Sequence, residues 1–344
     1  MFNNISGSYN TATGFRALYE NNGSQNTATG FSALGRNRGG EYNTADGYQA
    51  LGGGTSGGFN VATGFFALLN NNGNNNTGVG AYALVSNTTG ISNTAIGYEV
   101  MHFNTSGRQN TAAGDNALSF NRTGGDNTAI GASALAECVA GNFNIALWIG
   151  AGGEHFFGDN NIYVGNPGVA DTESGTVRIG TAGTHTQTFI AGITGTAVSG
   201  TAVVVDENGQ LGVAASSKRF KDEIKPMNKA SEAILALKPV TFRYKAEIDP
   251  KRAPQFGLVA EDVEKVNPDL VARDKEGKPF TVRYDAVNAM LLSEFLKEHR
   301  KVEEQGAIIA KQQKQIEALT AGLQKVSAEL ETSRASPQMV GNDQ

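Results

Sequence analysis

The chain reads as two folding regimes: a mainly β parallel roll built from short repeats, then an α+β module that ends in a coiled coil. Three observations predict this. A nine-residue motif begins at eight asparagines between Asn10 and Asn127. Composition changes abruptly at Ser216. Residues 1–215 carry six arginines, no lysine and thirteen acidic side chains, whereas residues 216–344 carry twenty-two basic and twenty acidic ones, and glycine splits 39 to 5 across the same line. Finally, apolar residues recur every seven positions from Phe295 to Leu330.

The repeat comes first. NTATGFRAL at Asn10 returns as NTATGFSAL at Asn26, NTADGYQAL at Asn43, NVATGFFAL at Asn60, NTGVGAYAL at Asn76, NTAIGYEVM at Asn93, NTAAGDNAL at Asn110 and NTAIGASAL at Asn127, with a degenerate copy, NIALWIGAG, at Asn144. Self-similarity at a fixed short period is the mark of a solenoid. A period of sixteen or seventeen is too short for a helix pair. It fits two strands of about five residues at ~3.3 Å each, plus turns. Within Asn-Thr-Ala-x-Gly, Ala and Gly lie two apart and share the inner face, while Thr and the variable residue take the outer one. The leading asparagines are placed to form an amide ladder from coil to coil. The leucines of the Ala-Leu pairs (Leu18, Leu34, Leu51, Leu68) are expected to face a partner chain; the alternative is that they fill the chain's own roll.

These repeats resemble the head of trimeric autotransporter adhesins of the YadA type, over roughly residues 10–150. The resemblance implies a left-handed parallel β-roll that works as a homotrimer, with residues 1–157 as head. That family ends in a membrane β-barrel anchor, which this chain is not expected to carry. Residues 158–215 leave the repeat, but NIYVGN, TVRIGTAG, TQTFIAGITG and AVVVDENGQLGV still alternate around glycine turns, so a short β stalk or prism is expected there.

Beyond the seam the pattern turns helical and charged. A helix is predicted from about Asn228 to Leu237, stopped by Pro239 and followed by a strand. FGLVAEDVEKVNPDLV reads as a strand leading into a helix that Pro268 ends, and DKEGKPFTVRYDAV as a hairpin turning at Glu276-Gly277. A long helix then starts near Asp285. Phe295, Val302, Ile309, Ile316, Leu323 and Leu330 form its heptad, Leu291, Leu319 and Val326 the alternate seam, and Gln305 and Gln312 polar layers. A strict period of seven implies a left-handed coiled coil, placed at 301–334, with 335–344 as a disordered tail.

SSKRFKDEI sits on the seam itself. Ser216, Ser217, Arg219, Lys221 and Ile224 resemble, in order, the S-[DS]-x-R-x-K-x-x-I signature of the intramolecular chaperone domain that ends phage tailspikes and endosialidases, the S74 peptidase class. GLVAEDV (Gly257 to Val263) and VRYDAVNAMLLSEF resemble further blocks of that family, so the likeness spans 216 to about 300. It implies a serine endopeptidase that cuts its own chain once, between Ala215 and Ser216, with Ser216 as nucleophile and Lys221 as general base. Arg219 is implied in charge support or oxyanion binding, and Gln255 and Gly257 beside the dyad. Glutamine stands at 255 where the family often has histidine, so only positioning carries over. Glu261 replaces the commoner glutamine, and Ser217 becomes the nucleophile if the register slips by one. A lysine ordinarily titrates near 10.4, so serving as base requires burial that disfavours its ammonium form. Residues five apart lie on opposite faces of a strand and are not neighbours on a helix. Ser216 and Lys221 therefore meet only across a turn or across a chain boundary.

Other classes find less support. A net charge of −5 gives no basic face for nucleic acid. No apolar run is long enough for a membrane helix, and no signal peptide is visible at the start. Cys138 is expected to be a small buried residue of one repeat. His102, His155, His185 and His299 have neither triad context nor metal-ligand spacing, and no cofactor or metal is expected. A flat Thr-x-Thr ladder for ice breaks at Asp46, Val61 and Val79. The expectation is a self-processing homotrimeric fibre at a cell surface or in a virion tail, whose head takes a host-surface or glycan ligand. The alternative is a structural fibre with an inert dyad.

Overall fold

A computed structural model describes residues 2–54, 56–154, 156–169, 173–191, 193, 197–206, 208–274 and 276–334. His155 and the expected tail at 335–344 lie outside the described residues. The chain divides into two compact units, Met1–Thr196 and Ala197–Gln344.

The first unit is a parallel β-solenoid. Its strands are β1 (Thr11–Thr13), β2 (Thr27–Thr29), β3 (Thr44–Asp46), β4 (Val61–Thr63), β5 (Thr77–Val79), β6 (Thr94–Ile96), β7 (Thr111–Ala113), β8 (Thr128–Ile130), β9 (Ile145–Leu147), β10 (Ile162–Val164) and β11 (Val177–Ile179). Among the described residues they form one eleven-stranded sheet in sequence order. Equivalent residues stand in register, as in Ala12 opposite Ala28 and Ala28 opposite Ala45. Each coil holds one three-residue strand, not the expected two of about five. The rest of the period is tight turn, with several positive φ angles per coil, such as Tyr42, Gln49 and Leu51 at 52–59°. The sheet also runs past residue 157, because NIYVGN and TVRIGTAG supply β10 and β11.

The Ala-Leu leucines do not face a partner. Leu18, Leu34, Leu51, Leu68 and Leu84 are at most 3% exposed and line the roll's own core with the central alanines of the strands. The reason is local. Each of them sits at φ 49–53°, the left-handed region, which turns its side chain inward instead of out of the coil. Burial of each leucine contributes ~1.5–3 kcal/mol, enough to offset that conformation. Glycines such as Gly47, at φ 138°, serve a second purpose: a Cβ there would lie 2.5 Å from the carbonyl oxygen of Gly64 in the next coil. Only glycine permits coils to stack this closely.

Two asparagine ladders run along the interior. In the expected one, the backbone N–H of each leading asparagine donates to Oδ1 of the asparagine one coil earlier, from Asn26 to Asn10 through Asn161 to Asn144, at 2.8–3.1 Å. The second was not expected. Asn21, Asn37, Asn71, Asn87, Asn104 and Asn121 are buried, and where an asparagine stands one coil earlier Nδ2 donates back to its Oδ1, as from Asn104 to Asn87 at 2.7 Å and from Asn121 to Asn104 at 2.9 Å. These ladders satisfy polar groups that would be costly to bury alone. At the far end Tyr163, fully buried, takes the alanine slot of β10 and closes the core. Its hydroxyl donates to Glu173, which also accepts a fork of bonds from Arg178.

In the second unit, β12 (Val204–Val205) and β13 (Leu211–Gly212) make a small antiparallel hairpin. The segment expected as a helix at 228–237 is instead a 3-10 helix, Asn228–Ala236. The carbonyl of Asn228 is already engaged by Ser231 Oγ and Lys297 Nζ, so it does not take an α-helical bond from residue 232. Strands β14 (Val240–Phe242) and β15 (Gln255–Gly257) pair antiparallel, helix α1 spans Ala260–Val266, and β16 (Val271–Arg273) pairs with β17 (Pro279–Val282). Helix α2 runs Tyr284–Arg334, longer than the expected coiled-coil segment. A small core gathers Val263, Leu270, Val271, Val282 and Met290. The heptad side chains of α2 from Phe295 to Leu330 are exposed.

Candidate active site

Ser216 lies outside regular secondary structure, two residues before a single 3-10 turn, Lys218–Phe220. Two bonds make this turn: Phe220 N–H donates to Ser217 O at 3.0 Å, and Lys221 N–H to Lys218 O at 3.2 Å. Ser217 and Lys221, on either side, are extended. The turn reverses the chain enough for Lys221 Nζ to donate to Ser216 Oγ at 3.4 Å. Within the single chain, the turn is thus one route by which the two side chains approach. The contact is long for a hydrogen bond, and Ser216 and Lys221 are both exposed in the single chain. The Ala215–Ser216 peptide is exposed as well.

The remaining predicted residues are dispersed. Arg219 lays its guanidinium over the Phe220 ring, 4.6 Å from the centroid. Ser217 starts the turn and is exposed. Gln255 and Gly257 lie on β15, paired with Phe242 and Val240, and Glu261 is in the first turn of α1. Among the described residues no hydrogen bond joins Gln255 or Gly257 to Ser216 or Lys221. Gly257 has a steric role: a Cβ there would sit 2.8 Å from the Tyr284 hydroxyl and 3.3 Å from the Phe242 ring. That hydroxyl accepts from Leu258 N–H at 3.0 Å and ties β15 to the start of α2.

A second serine–lysine pair was not foreseen. Ser231 is fully buried, and its hydroxyl contacts Ser293 Oγ, Glu294 and Lys297 Nζ, the last at 3.0 Å. Lys297 also donates to Glu294 at 2.6 Å. The Lys297 ammonium, then the Ser231 hydroxyl, hold the Glu294 carboxyl below its usual range. An ammonium held by a carboxylate makes a poor base, and a buried hydroxyl meets no peptide. This cluster is a clamp between the 3-10 helix and α2. Its only sequence signal is the i,i+3 pairing of Glu294 with Lys297.

Residues 216–272 match the family described as chaperone of endosialidase, peptidase S74. No curated protein and no solved structure matches the chain. The matched segment starts at Ser216 and takes in the 3-10 turn, the β14–β15 pair and α1. No described helix is long and apolar enough to cross a membrane.

Proposed function

We propose that the chain is one strand of a homotrimeric fibre of the tailspike kind, at a virion tail or cell surface, whose C-terminal module assembles the copies and then cuts itself away. The observation that carries this is the 3.4 Å approach of Lys221 Nζ to Ser216 Oγ across a turn, at the first residue of the chaperone-of-endosialidase match and on the compositional seam. Ser216 Oγ attacks the carbonyl carbon of Ala215, and Lys221 takes the hydroxyl proton. The Ala215–Ser216 C–N bond then breaks as Lys221 returns that proton to the leaving nitrogen. Water hydrolyses the resulting ester, leaving a carboxylate on Ala215 and a free amine and hydroxyl on Ser216. The base must begin neutral, which requires a burial that Lys221, exposed in the single chain, does not have. Assembly of the copies supplies the missing desolvation, so cutting follows association. Until the copies meet, exposed apolar side chains such as Ile130, Ile179 and Phe295 are open to aggregation, which gives a removable assembly module its use.

Electrophoresis of the purified chain tests this. Assembled wild type yields fragments of 215 and 129 residues, and Ser216→Ala stays whole. A heptad variant such as Ile309→Asp, held unassembled, stays whole too. An intact wild-type chain in a light-scattering trimer refutes self-cleavage. The exposure of Lys221 favours a second reading, a structural fibre with an inert dyad, and that result would establish it. A host-surface or glycan ligand of the roll belongs to the same proposal. Phe15, Phe31, Tyr48 and Phe65 stack on one another at 5.0–5.4 Å, so they present ring edges, not open faces, to such a ligand.

A further inference from the structure

The outward residues of the sheet change character along the roll. At the third position of each strand, β1 to β4 carry Thr13, Thr29, Asp46 and Thr63, while β5 to β11 carry Val79, Ile96, Ala113, Ile130, Leu147, Val164 and Ile179. At the first position threonine holds through β8, except for Val61 in β4, and gives way to Ile145, Ile162 and Val177 from β9 onward. Only β9 to β11 are apolar at both outward positions, and outward apolar residues of this kind belong to a sheet face that is covered. Yet Ile179 is 73% and Ile130 47% exposed. Beside them lies a groove of about 880 Å³ lined by Ile130, Leu147, Ile149, Val164 and Phe189.

Trp148 marks the same place. Eight earlier coils have glycine at its position, with φ between 121° and 138°; Trp148 adopts φ 111° there and is 70% exposed. A bulky residue in that conformation is strained, and such strain collects at sites of function. The chain alone gives it no compensating burial.

We infer that the row of apolar third positions from β5 to β11, widening to both outward positions at β9 to β11 and centred on Trp148, is where copies of this chain meet along the roll, and that β1 to β4, with threonine or aspartate at the third position, stay apart. The inference rests on the fibre reading above and assigns it a surface. A second copy is the occupant for three reasons. The exposed heptad of α2 is independent evidence that the chain associates with itself. A ridge of seven strands at ~4.8 Å spacing is about 30 Å long, the shape of a like ridge and not of a small ligand. Its outward strand positions from Thr77 to Ile179 carry no charge, so like meets like without repulsion, whereas Asp46 in the same register would gather carboxylates. Three-residue strands at ~3.3 Å per residue give a ridge only about 10 Å wide. Its area falls short of the ~800 Å² per partner of a stable interface, so the contact works alongside α2 and not alone.

Trp148 is the only tryptophan, so the native full-length protein reports on itself. Light scattering establishes the assembly. In it, Trp148 emission is expected at short wavelength and shielded from iodide, moving to the water-exposed position on dilution to monomer. Ile130→Cys and Ile179→Cys chains are expected to cross-link between copies with a short bis-maleimide, and Thr13→Cys and Thr29→Cys chains to stay single. A multimer whose Trp148 is open to iodide, or whose cross-links form at residues 13 and 29 or nowhere, overturns the surface assigned here and leaves the fibre reading standing. A monomer at all concentrations overturns both.

Discussion

Replacing Cys138 by asparagine repairs a break that the structure makes visible. In the second ladder each Oδ1 receives Nδ2 from the asparagine one coil on, and the same Nδ2 reaches the glycine carbonyl three residues later, as in Asn104 to Gly107 and Asn121 to Gly124. Cys138 takes the next rung, buried beside Gly141. Burial pushes its thiol up to about 11, so it is no thiolate at neutral pH. It is also no substitute for an amide donor: Asn121 Oδ1 is buried without a hydrogen-bond partner. An unsatisfied buried acceptor costs ~1–3 kcal/mol. The other interruption, at Gly54, is milder, because Asn37 Oδ1 accepts from Gly40 N–H at 3.0 Å. Cys138→Asn should restore a bond to Asn121 and another to Gly141 O, stabilising the roll by ~1–2 kcal/mol. In a domain of this size that raises the unfolding midpoint by roughly 2–8 °C. Scanning calorimetry compares wild type with Cys138→Asn and Cys138→Ala, and with Asn104→Cys, which should cost a similar amount by breaking an intact rung. A midpoint for Cys138→Asn at or below that of Cys138→Ala would refute the ladder argument.

Two further outcomes follow. Glu294 is held below the usual carboxylate range by Lys297 and Ser231. Its contribution is therefore full above the ordinary glutamate value of ~4.3 and is lost as pH falls through the depressed one; the midpoint of the second unit should drop across that acidic window, and Glu294→Gln should flatten the drop. Gly64→Ala places a Cβ 2.7 Å from the Gly80 carbonyl at φ 131°, and should cost about 2 kcal/mol or more in chemical denaturation, unlike Gly39→Ala, whose Cβ meets nothing within 4 Å.

Much of the roll was legible because a repeat states its own register: Ala12, Ala28 and Ala45 stack because their motifs align. The direction of the leucines was hidden, since it depends on a left-handed φ that leucine rarely adopts and no periodicity reports. Trp148 was visible in NIALWIGAG, where the copies set tryptophan against glycine, but its exposure required coordinates. In the second unit, five-residue spacing already restricted Ser216 and Lys221 to a turn or a chain boundary. The fit of Tyr284 against Gly257 joins residues far apart in sequence and leaves no local trace. The 3-10 form of Asn228–Ala236 was equally hidden, because one of the two contacts that shape it comes from Lys297 on another helix.

Because every coil hydrogen-bonds to the one before it through the same atoms, the roll changes length only by whole coils. Single residues are absorbed in the turns, as coils of sixteen and seventeen residues show, but half a coil would carry the leading asparagines out of step, whereas a complete extra turn extends the shaft by one strand spacing, ~4.8 Å. Reach from base to tip is thus adjustable by duplication alone.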